Sequence, residues 1–152
     1  MGPRRLRIYV DADVLIAGAA GSPYGASHVL LVTANVTPLT LISAETAVLE
    51  SRKNVEEKLP DARSALDDVI KHSVRRVDDP DPRLENRFRD LADDKDAIHL
   101  AAAVVYDCKY LVTYNVDDYR PGHEGVEVVR PGVLVQQLRE VITPAVFSGE
   151  VW

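Results

Sequence analysis

Cysteine is almost absent from this sequence, because Cys108 is the single cysteine among 152 residues. One thiol cannot form a disulfide within the chain, and it excludes a zinc site built from several cysteines. The opening residues are polar and carry three arginines, so they do not resemble a secretory signal peptide. We therefore expect a protein of a reducing compartment, with a cytoplasmic location.

Long hydrophobic runs and an excess of positive charge are also missing. The longest mostly apolar run, over residues 97–106, has about half the length that a membrane span needs, and it contains His99. The formal net charge of −6 argues against a surface that holds nucleic acid by charge alone. The acidic surplus lies mostly after residue 90, close to segments that have the composition of a core.

The rest of the composition is that of an ordinary globular protein, with 46% hydrophobic and 28% charged residues. A chain of this length fits one domain and is long enough to bury a core. We expect this domain to cover residues 1–143 and a tail to cover residues 144–152. Phe147 and Trp152 make the tail aromatic, so it either docks on the core or on a partner, or is disordered.

Short β-prone runs alternate with helical patterns along the chain, which predicts an α/β fold with a mainly parallel sheet. Ser43 and Asp93 are predicted N-caps of two of the helices. Strands are expected over residues 6–10, 39–42, 74–77, 110–113 and 126–129. Helices are expected over residues 13–20, 26–35, 44–59, 60–72, 93–105 and 131–142, with a short helix or loop over 84–91.

Polar residues stand where a parallel sheet binds its ligands, beyond the carboxyl ends of the strands. Asp11 ends the first predicted strand, and Thr113, Asn115 and Asp118 follow the fourth. Asp96 lies in the first turn of the helix that precedes the fourth strand. These residues can converge although they are far apart in the sequence.

The candidate site consists of four carboxylates, those of Asp11, Glu50, Asp96 and Asp118. Two unit charges about 4 Å apart repel by roughly 4 kcal/mol at an effective dielectric constant of about 20, so such a cluster either takes up protons or binds a cation. Mg²⁺ or Mn²⁺ suits a site made of oxygen ligands. Beside a phosphate, the ion can activate water and stabilise the leaving oxygen.

Each of these carboxylates also has a purely structural interpretation. Asp11 caps the following helix, Asp96 favours the dipole of its helix, and Asp118 is a turn residue. Glu50 lies nearly opposite the apolar stripe of its helix, where a side chain is usually solvated. Neighbouring acidic residues are alternatives for the same roles: Asp13, Asp93, Asp94 and Asp117.

Other catalytic or metal-binding patterns are not found in the sequence. There is no Gly-x-Ser-x-Gly elbow and no phosphate-binding loop. Cys108 lies at the apolar end of a helix, so we expect a packed thiol and not a nucleophile. A lone histidine is more often structural, and metal-ligand spacing is lacking among the four that occur, His28, His72, His99 and His123.

Four motifs occur in order along the chain: IYVDADVLI at 8–16, SAETAVLE at 43–50, DDKDAIHLAAA at 93–103 and LVTYNVDDY at 111–119. Together they resemble the motifs of the PIN domain, the fold of VapC-like toxins and related metal-dependent ribonucleases. The resemblance covers roughly residues 7–129. It implies a three-layer α/β/α sandwich around a central, mainly parallel five-stranded sheet.

The resemblance also implies roles for individual residues. Asn115 stands where many members of the family carry aspartate. The ligands of Mg²⁺ or Mn²⁺, direct or through water, would be Asp11, Glu50, Asp96 and Asp118. The residues that support the pocket would be Asp13, Asn54, Thr113 and Asn115.

The leading interpretation is a metal-dependent endoribonuclease, the toxin of a toxin–antitoxin pair. RNA is then the substrate, an antitoxin protein is a partner, and a homodimer is the expected assembly, as in members of the family. Two alternatives stay open: a non-catalytic PIN-like module for RNA binding or assembly, and a phosphohydrolase of the haloacid-dehalogenase type, suggested by residues 11–13. A basic cluster either flanks the pocket or is a solvated face: Arg52, Lys53, Lys58 and Arg63.

Overall fold

Five parallel strands form the centre of the protein, which a computed structural model describes over residues 5–34 and 38–147. The strand order is β3-β2-β1-β4-β5, and every neighbouring pair is parallel. The prediction of a five-stranded, mainly parallel sheet is therefore confirmed. The strands are β1 (Leu6–Val10), β2 (Leu39–Ala44), β3 (Arg75–Val77), β4 (Tyr110–Val112) and β5 (Glu127–Val129).

Helices connect the first four strands, and a loop with a short 3₁₀ turn connects β4 to β5, which gives the crossovers that parallel pairing requires. No helix within the described ranges combines the length and the apolar character needed to cross a membrane. Short 3₁₀ turns lie at Pro60–Ala62 and Val116–Tyr119. The α-helices are α1 (Ala12–Ala20), α2 (Ala26–Thr33), α3 (Glu45–Lys58), α4 (Arg63–His72), α5 (Pro82–Arg87), α6 (Ala97–Val105) and α7 (Pro131–Phe147).

The side chains of the central strand point alternately to two separate hydrophobic cores, as successive residues of a strand do. Ile8 and Val10 belong to a core shared with α1, α2, α3, α4 and α7. Tyr9 belongs to a second core on the other face, to which α6 contributes more residues than any other element. Helices therefore cover both faces of the sheet, and the expected three-layer α/β/α sandwich is confirmed.

Both predicted N-caps are wrong. Ser43 lies inside β2, and its hydroxyl donates a hydrogen bond to the carbonyl of Val10 in β1 at 2.7 Å. The N-cap of α3 is Ala44, one residue later. Asp93 lies in a turn that precedes α6, and its carbonyl accepts the amides of Asp96 and Ala97. Asp96 is consequently the N-cap of α6.

Most of the predicted boundaries agree with the structure to within one or two residues, and the largest difference is at the carboxyl end. Helix α7 continues to Phe147, so the first residues of the expected tail, 144–147, are helical. The predicted end of the second helix at Asn35 lies outside the described residues. So does Trp152, on which the predicted docking of the tail depends.

The lone thiol should be unreactive in the native protein. Cys108 packs in the core beneath α6 with 3% of its surface exposed, and burial raises the pKa of its thiol to about 12. Reaction requires the thiolate, so we expect no labelling by an aromatic disulfide reagent at mildly alkaline pH and full labelling after unfolding in urea. Rapid labelling of the native protein would contradict this packing.

Candidate metal centre

Asp11 stands at the carboxyl end of the central strand and begins the first helix. Its Oδ1 accepts the amide of Ala12 at 2.8 Å, as an N-cap does for α1. Its Oδ2 accepts a hydrogen bond from the hydroxyl of Tyr119 at 2.7 Å and another from the hydroxyl of Thr113 at 3.0 Å. All three side chains are buried, so these bonds fix the carboxylate of Asp11 in one orientation.

Asp13 lies beside Asp11 in the first turn of α1. Its Oδ2 accepts the amide of Tyr114 at 3.0 Å and the side-chain amide of Asn115 at 3.2 Å. Burial and the nearby negative charge of Asp11 raise the pKa of Asp13 to about 6. Asp13 and Asn115 therefore join α1 to the loop after β4, at the rim of the carboxylate cluster.

A first group of possible ligands consists of Asp11, Glu50 and His99, whose ligand atoms all lie within 4.8 Å of one another. Nε2 of His99 is 3.6 Å from a carboxylate oxygen of Glu50 and 3.9 Å from Oδ1 of Asp11. Nδ1 of the same ring is 2.7 Å from the hydroxyl of Tyr9. Burial opposes protonation of His99, but the carboxylates of Glu50, Asp11 and Asp96 raise its pKa above the usual value.

A second group consists of Asp93, Asp96 and Asp118, whose ligand atoms also lie within 4.8 Å of one another. The amide of Asp93 donates to the carbonyl of Asp118 at 2.7 Å, which joins the turn before α6 to the 3₁₀ turn after β4. Nζ of Lys95 is 3.4 Å from Oδ2 of Asp96 and 3.3 Å from Oδ2 of Asp118. Burial and the charge of Asp11 raise the pKa of Asp96.

These two groups have the donor atoms that a divalent cation requires. Oδ2 of Asp96 is buried and has no hydrogen-bond partner in the described part of the chain, and the same holds for Nε2 of His99. A buried polar atom without a partner costs free energy, which a bound cation would recover. Carboxylate oxygens are preferred by Mg²⁺ and Mn²⁺, so the residues present fit such an ion.

The structure brings the four predicted carboxylates together as two pairs. Asp11 and Glu50 share the first group, and Asp96 and Asp118 share the second. Asn54, a predicted supporting residue, lies one turn beyond Glu50 in α3 and is half-buried.

Two of the acidic alternatives lie apart from both groups, whereas Asp93 belongs to the second. Asp94 is exposed, and Asp117 forms an exposed ion pair with Arg120 at 2.9 Å. Neither residue is a member of a ligand group in the described part of the chain.

His99 and Tyr119 are the residues of the site that the sequence analysis did not include. His99 follows Asp96 by three residues, a spacing that puts two side chains on the same face of a helix. That spacing was a usable signal, because Asp96 was already a candidate. Tyr119 had no comparable signal, since its contact with Asp11 depends on how the loop after β4 folds back.

The comparisons with known proteins agree with this architecture. The family model described as a PIN domain matches residues 7–117 of the chain. No protein of curated function matches the sequence significantly.

Three solved structures resemble the fold. VapBC2 from Rickettsia felis, bound to a DNA fragment from its promoter, has a TM-score of 0.66 at 12% identity, over 82% of this chain and 98% of that chain. PAE2754 from Pyrobaculum aerophilum has a TM-score of 0.64 at 18% identity, over 91% of this chain and 99% of that chain. VapC20 from Mycobacterium tuberculosis is a Sarcin-Ricin loop cleaving toxin. It has a TM-score of 0.57 at 18% identity, over 79% of this chain and 98% of that chain. At identities this low, the structural similarity shows a shared fold alone.

Removal of the buried hydroxyl of Tyr119 should destabilise the protein. Tyr119→Phe removes a donor from the buried carboxylate of Asp11, and hydrogen bonds to charged groups contribute about 1.5–3 kcal/mol. We expect a loss of that size in the free energy of unfolding, measured in urea without added metal. The matched control is Tyr106→Phe, which removes an exposed hydrogen bond to the carbonyl of Asp78 and should cost less than about 1 kcal/mol. Equal losses for the two variants would contradict this assignment.

Neutralisation of Asp96 should stabilise the protein in the absence of metal. The raised pKa of Asp96 means that its charge opposes folding near neutral pH, so we expect Asp96→Asn to raise both the free energy of unfolding and Tm. The gain should shrink as the pH falls toward the usual pKa of aspartate, because the carboxyl is then protonated in both states. The control is the exposed Asp94→Asn, which should leave Tm unchanged in the same thermal melts with a chelator.

Proposed function

The chain belongs to the PIN domain family, and from this premise we propose that it is a metal-dependent endoribonuclease that hydrolyses RNA phosphodiester bonds. The observation that carries the proposal is the pair of adjoining carboxylate groups at the carboxyl ends of β1 and β4. Within them, Oδ2 of Asp96 is buried without a hydrogen-bond partner among the described residues. Mutual repulsion in such a cluster is lowered by protonation, by cationic side chains or by a bound cation, and a bound cation also uses the unsatisfied oxygen.

The carboxylates of Asp11, Glu50, Asp96 and Asp118 would hold Mg²⁺ or Mn²⁺ in this proposal. The bound ion supplies the chemistry that the side chains lack, because it lowers the pKa of water and offsets the charge of the phosphate. Thr113 and Tyr119 hold Asp11 by hydrogen bonds, and Asp13 holds the loop after β4. Because these bonds hold the carboxylate of Asp11 in one orientation, it needs little reorganisation when substrate arrives.

The approach of RNA depends on positive charge at the site itself. Among the four predicted surface cations, Arg52 lies 3.5 Å from Asp67 and Arg63 lies 3.7 Å from Glu56. These two are partly offset by their acidic neighbours. Lys95 differs in its position, because its ammonium lies beside Asp96 and Asp118 at the edge of the second carboxylate group, on a side chain that is 70% exposed. We propose that its ammonium contacts a substrate phosphate next to the cation.

The fold relatives suggest the biological setting. VapBC2 was solved as a complex on a promoter fragment, and VapC20 is a toxin that cleaves the Sarcin-Ricin loop. We propose that this chain is likewise the toxin of a toxin–antitoxin pair, with a protein antitoxin, a homodimeric assembly and a cytoplasmic location. The nuclease domain would cover residues 1–143.

Loss of a carboxylate should abolish cleavage of RNA. A bound metal contributes several kcal/mol to stabilisation of the transition state, so we expect Asp11→Asn and Asp96→Asn each to lower the cleavage rate by about 100-fold or more. The rate is measured on a set of structured and single-stranded RNAs with Mg²⁺ or Mn²⁺. Asp94→Asn is the matched control and should cleave like the wild type, because Asp94 is exposed and outside both groups.

Two outcomes would contradict the proposed function. Cleavage that persists in excess chelator, or in both variants, would show that these carboxylates and their cation are not needed. Tight, metal-independent binding of RNA without cleavage would instead favour the non-catalytic binding module.

A further inference from the structure

His99 is a buried polar residue whose role the proposed function does not use. It lies on α6 with 0% of its surface exposed. Nδ1 is 2.7 Å from the hydroxyl of Tyr9, whereas Nε2 has no hydrogen-bond partner in the described part of the chain. The unpartnered nitrogen is directed into the first carboxylate group, toward Asp11 and Glu50.

The distances from Nε2 to these carboxylates are too long for hydrogen bonds. They are 3.6 Å to Glu50 and 3.9 Å to Asp11, and a separation of about 3.6 Å or more between side-chain atoms does not make a hydrogen bond. A buried ring nitrogen that stays unpaired is costly. A purely structural histidine would be expected to form hydrogen bonds with both nitrogens, and here only Nδ1 forms one among the described residues.

The same distances fit two ligands of one ion. Nitrogen and oxygen ligands lie about 2.0–2.2 Å from a first-row divalent ion, so two ligands on the same ion are roughly 3–4 Å apart at open coordination angles. The separations of 3.6 and 3.9 Å are in that range. The ligand atoms of all three residues lie within 4.8 Å of one another, so modest side-chain movement brings them around one ion.

The contact with Tyr9 orients the ring for this role. Histidine ligands usually donate their other ring N–H to an oxygen, which holds the ring and leaves a lone pair for the ion. Binding of an ion at Nε2 requires the tautomer in which the Nδ1–H of His99 donates to the hydroxyl oxygen of Tyr9, which also accepts the amide of Ala44 at 3.4 Å; the lone pair of Nε2 then faces the carboxylates. Tyr9 is itself fully buried in the core under α6, so the ring has little freedom to turn away.

We propose that His99 supplies a nitrogen ligand to the cation that Asp11 and Glu50 hold, and that this ligand makes the site prefer a first-row transition ion such as Mn²⁺ to Mg²⁺. The inference rests on the proposed function for the presence of a cation. Imidazole binds transition ions well, whereas Mg²⁺ favours oxygen ligands and water. A carboxylate-only site would lack this preference.

The test uses the full chain without an affinity tag and with Mn²⁺ as the probe. Electron spin echo envelope modulation detects magnetic coupling between bound Mn²⁺ and a ligating nitrogen. We expect this coupling in the wild type and its loss in His99→Gln, while the exposed control His72→Gln retains it. By calorimetry, His99→Gln should weaken Mn²⁺ binding by about tenfold or more and Mg²⁺ binding by less than about threefold.

A second variant keeps the test decisive if His99→Gln does not fold. It replaces the other three histidines, His28, His72 and His123, by Gln and leaves His99 intact. Nitrogen coupling retained in this variant assigns the coupling to His99, and its loss there would overturn the inference. Mn²⁺ that binds the wild type without nitrogen coupling would overturn the inference and leave the proposed function standing. Failure of the wild type to bind Mn²⁺ or Mg²⁺ at all would overturn both.

Discussion

Repulsion between carboxylates at one end of the sheet is the constraint on which the rest of this structure depends. The protein satisfies some acidic oxygens with its own donors, as when Thr113 and Tyr119 donate to Oδ2 of Asp11. It leaves Oδ2 of Asp96 buried without a hydrogen bond among the described residues. Both oxygens of Asp11 thus accept hydrogen bonds that fix this carboxylate, whereas Oδ2 of Asp96 keeps its lone pairs for a ligand. A carboxylate that is already oriented needs little reorganisation when an ion binds.

The three layers explain why the two groups meet where they do. Glu50 comes from α3, which packs on the core of Ile8 and Val10. Asp96 and His99 come from the start and the first turn of α6, which packs on the opposite face. The sheet separates these helices along its length, so their side chains can meet only beyond the carboxyl ends of its strands. The position of the candidate centre therefore follows from parallel pairing with helices on both faces.

Local patterns predicted the elements well because strand and helix periodicities are properties of short segments. They failed where a side chain has a distant partner. Ser43 has the chemistry of an N-cap, but its hydroxyl bonds the carbonyl of Val10 on the neighbouring strand. His99 has no metal-ligand spacing to another histidine, so the sequence favours a structural role, whereas its carboxylate neighbours Asp11 and Glu50 are remote in sequence. The motifs predict which carboxylates form the cluster, whereas their division into two groups depends on the fold.

The two carboxylate groups differ in how their charge can be offset without a metal. Beside Asp96 and Asp118, the side chain of Lys95 is 70% exposed, and exposed ion pairs contribute only about 0–1 kcal/mol. It can therefore turn toward solvent or substrate at little cost. Beside Glu50, the imidazole of His99 is fully buried and held by Tyr9, so it cannot leave. The negative charge of the second group can be offset by a mobile side chain, whereas that of the first group must be offset by groups that stay where they are. A cation bound between the buried nitrogen of His99 and the carboxylates of Asp11 and Glu50 would offset that charge in place.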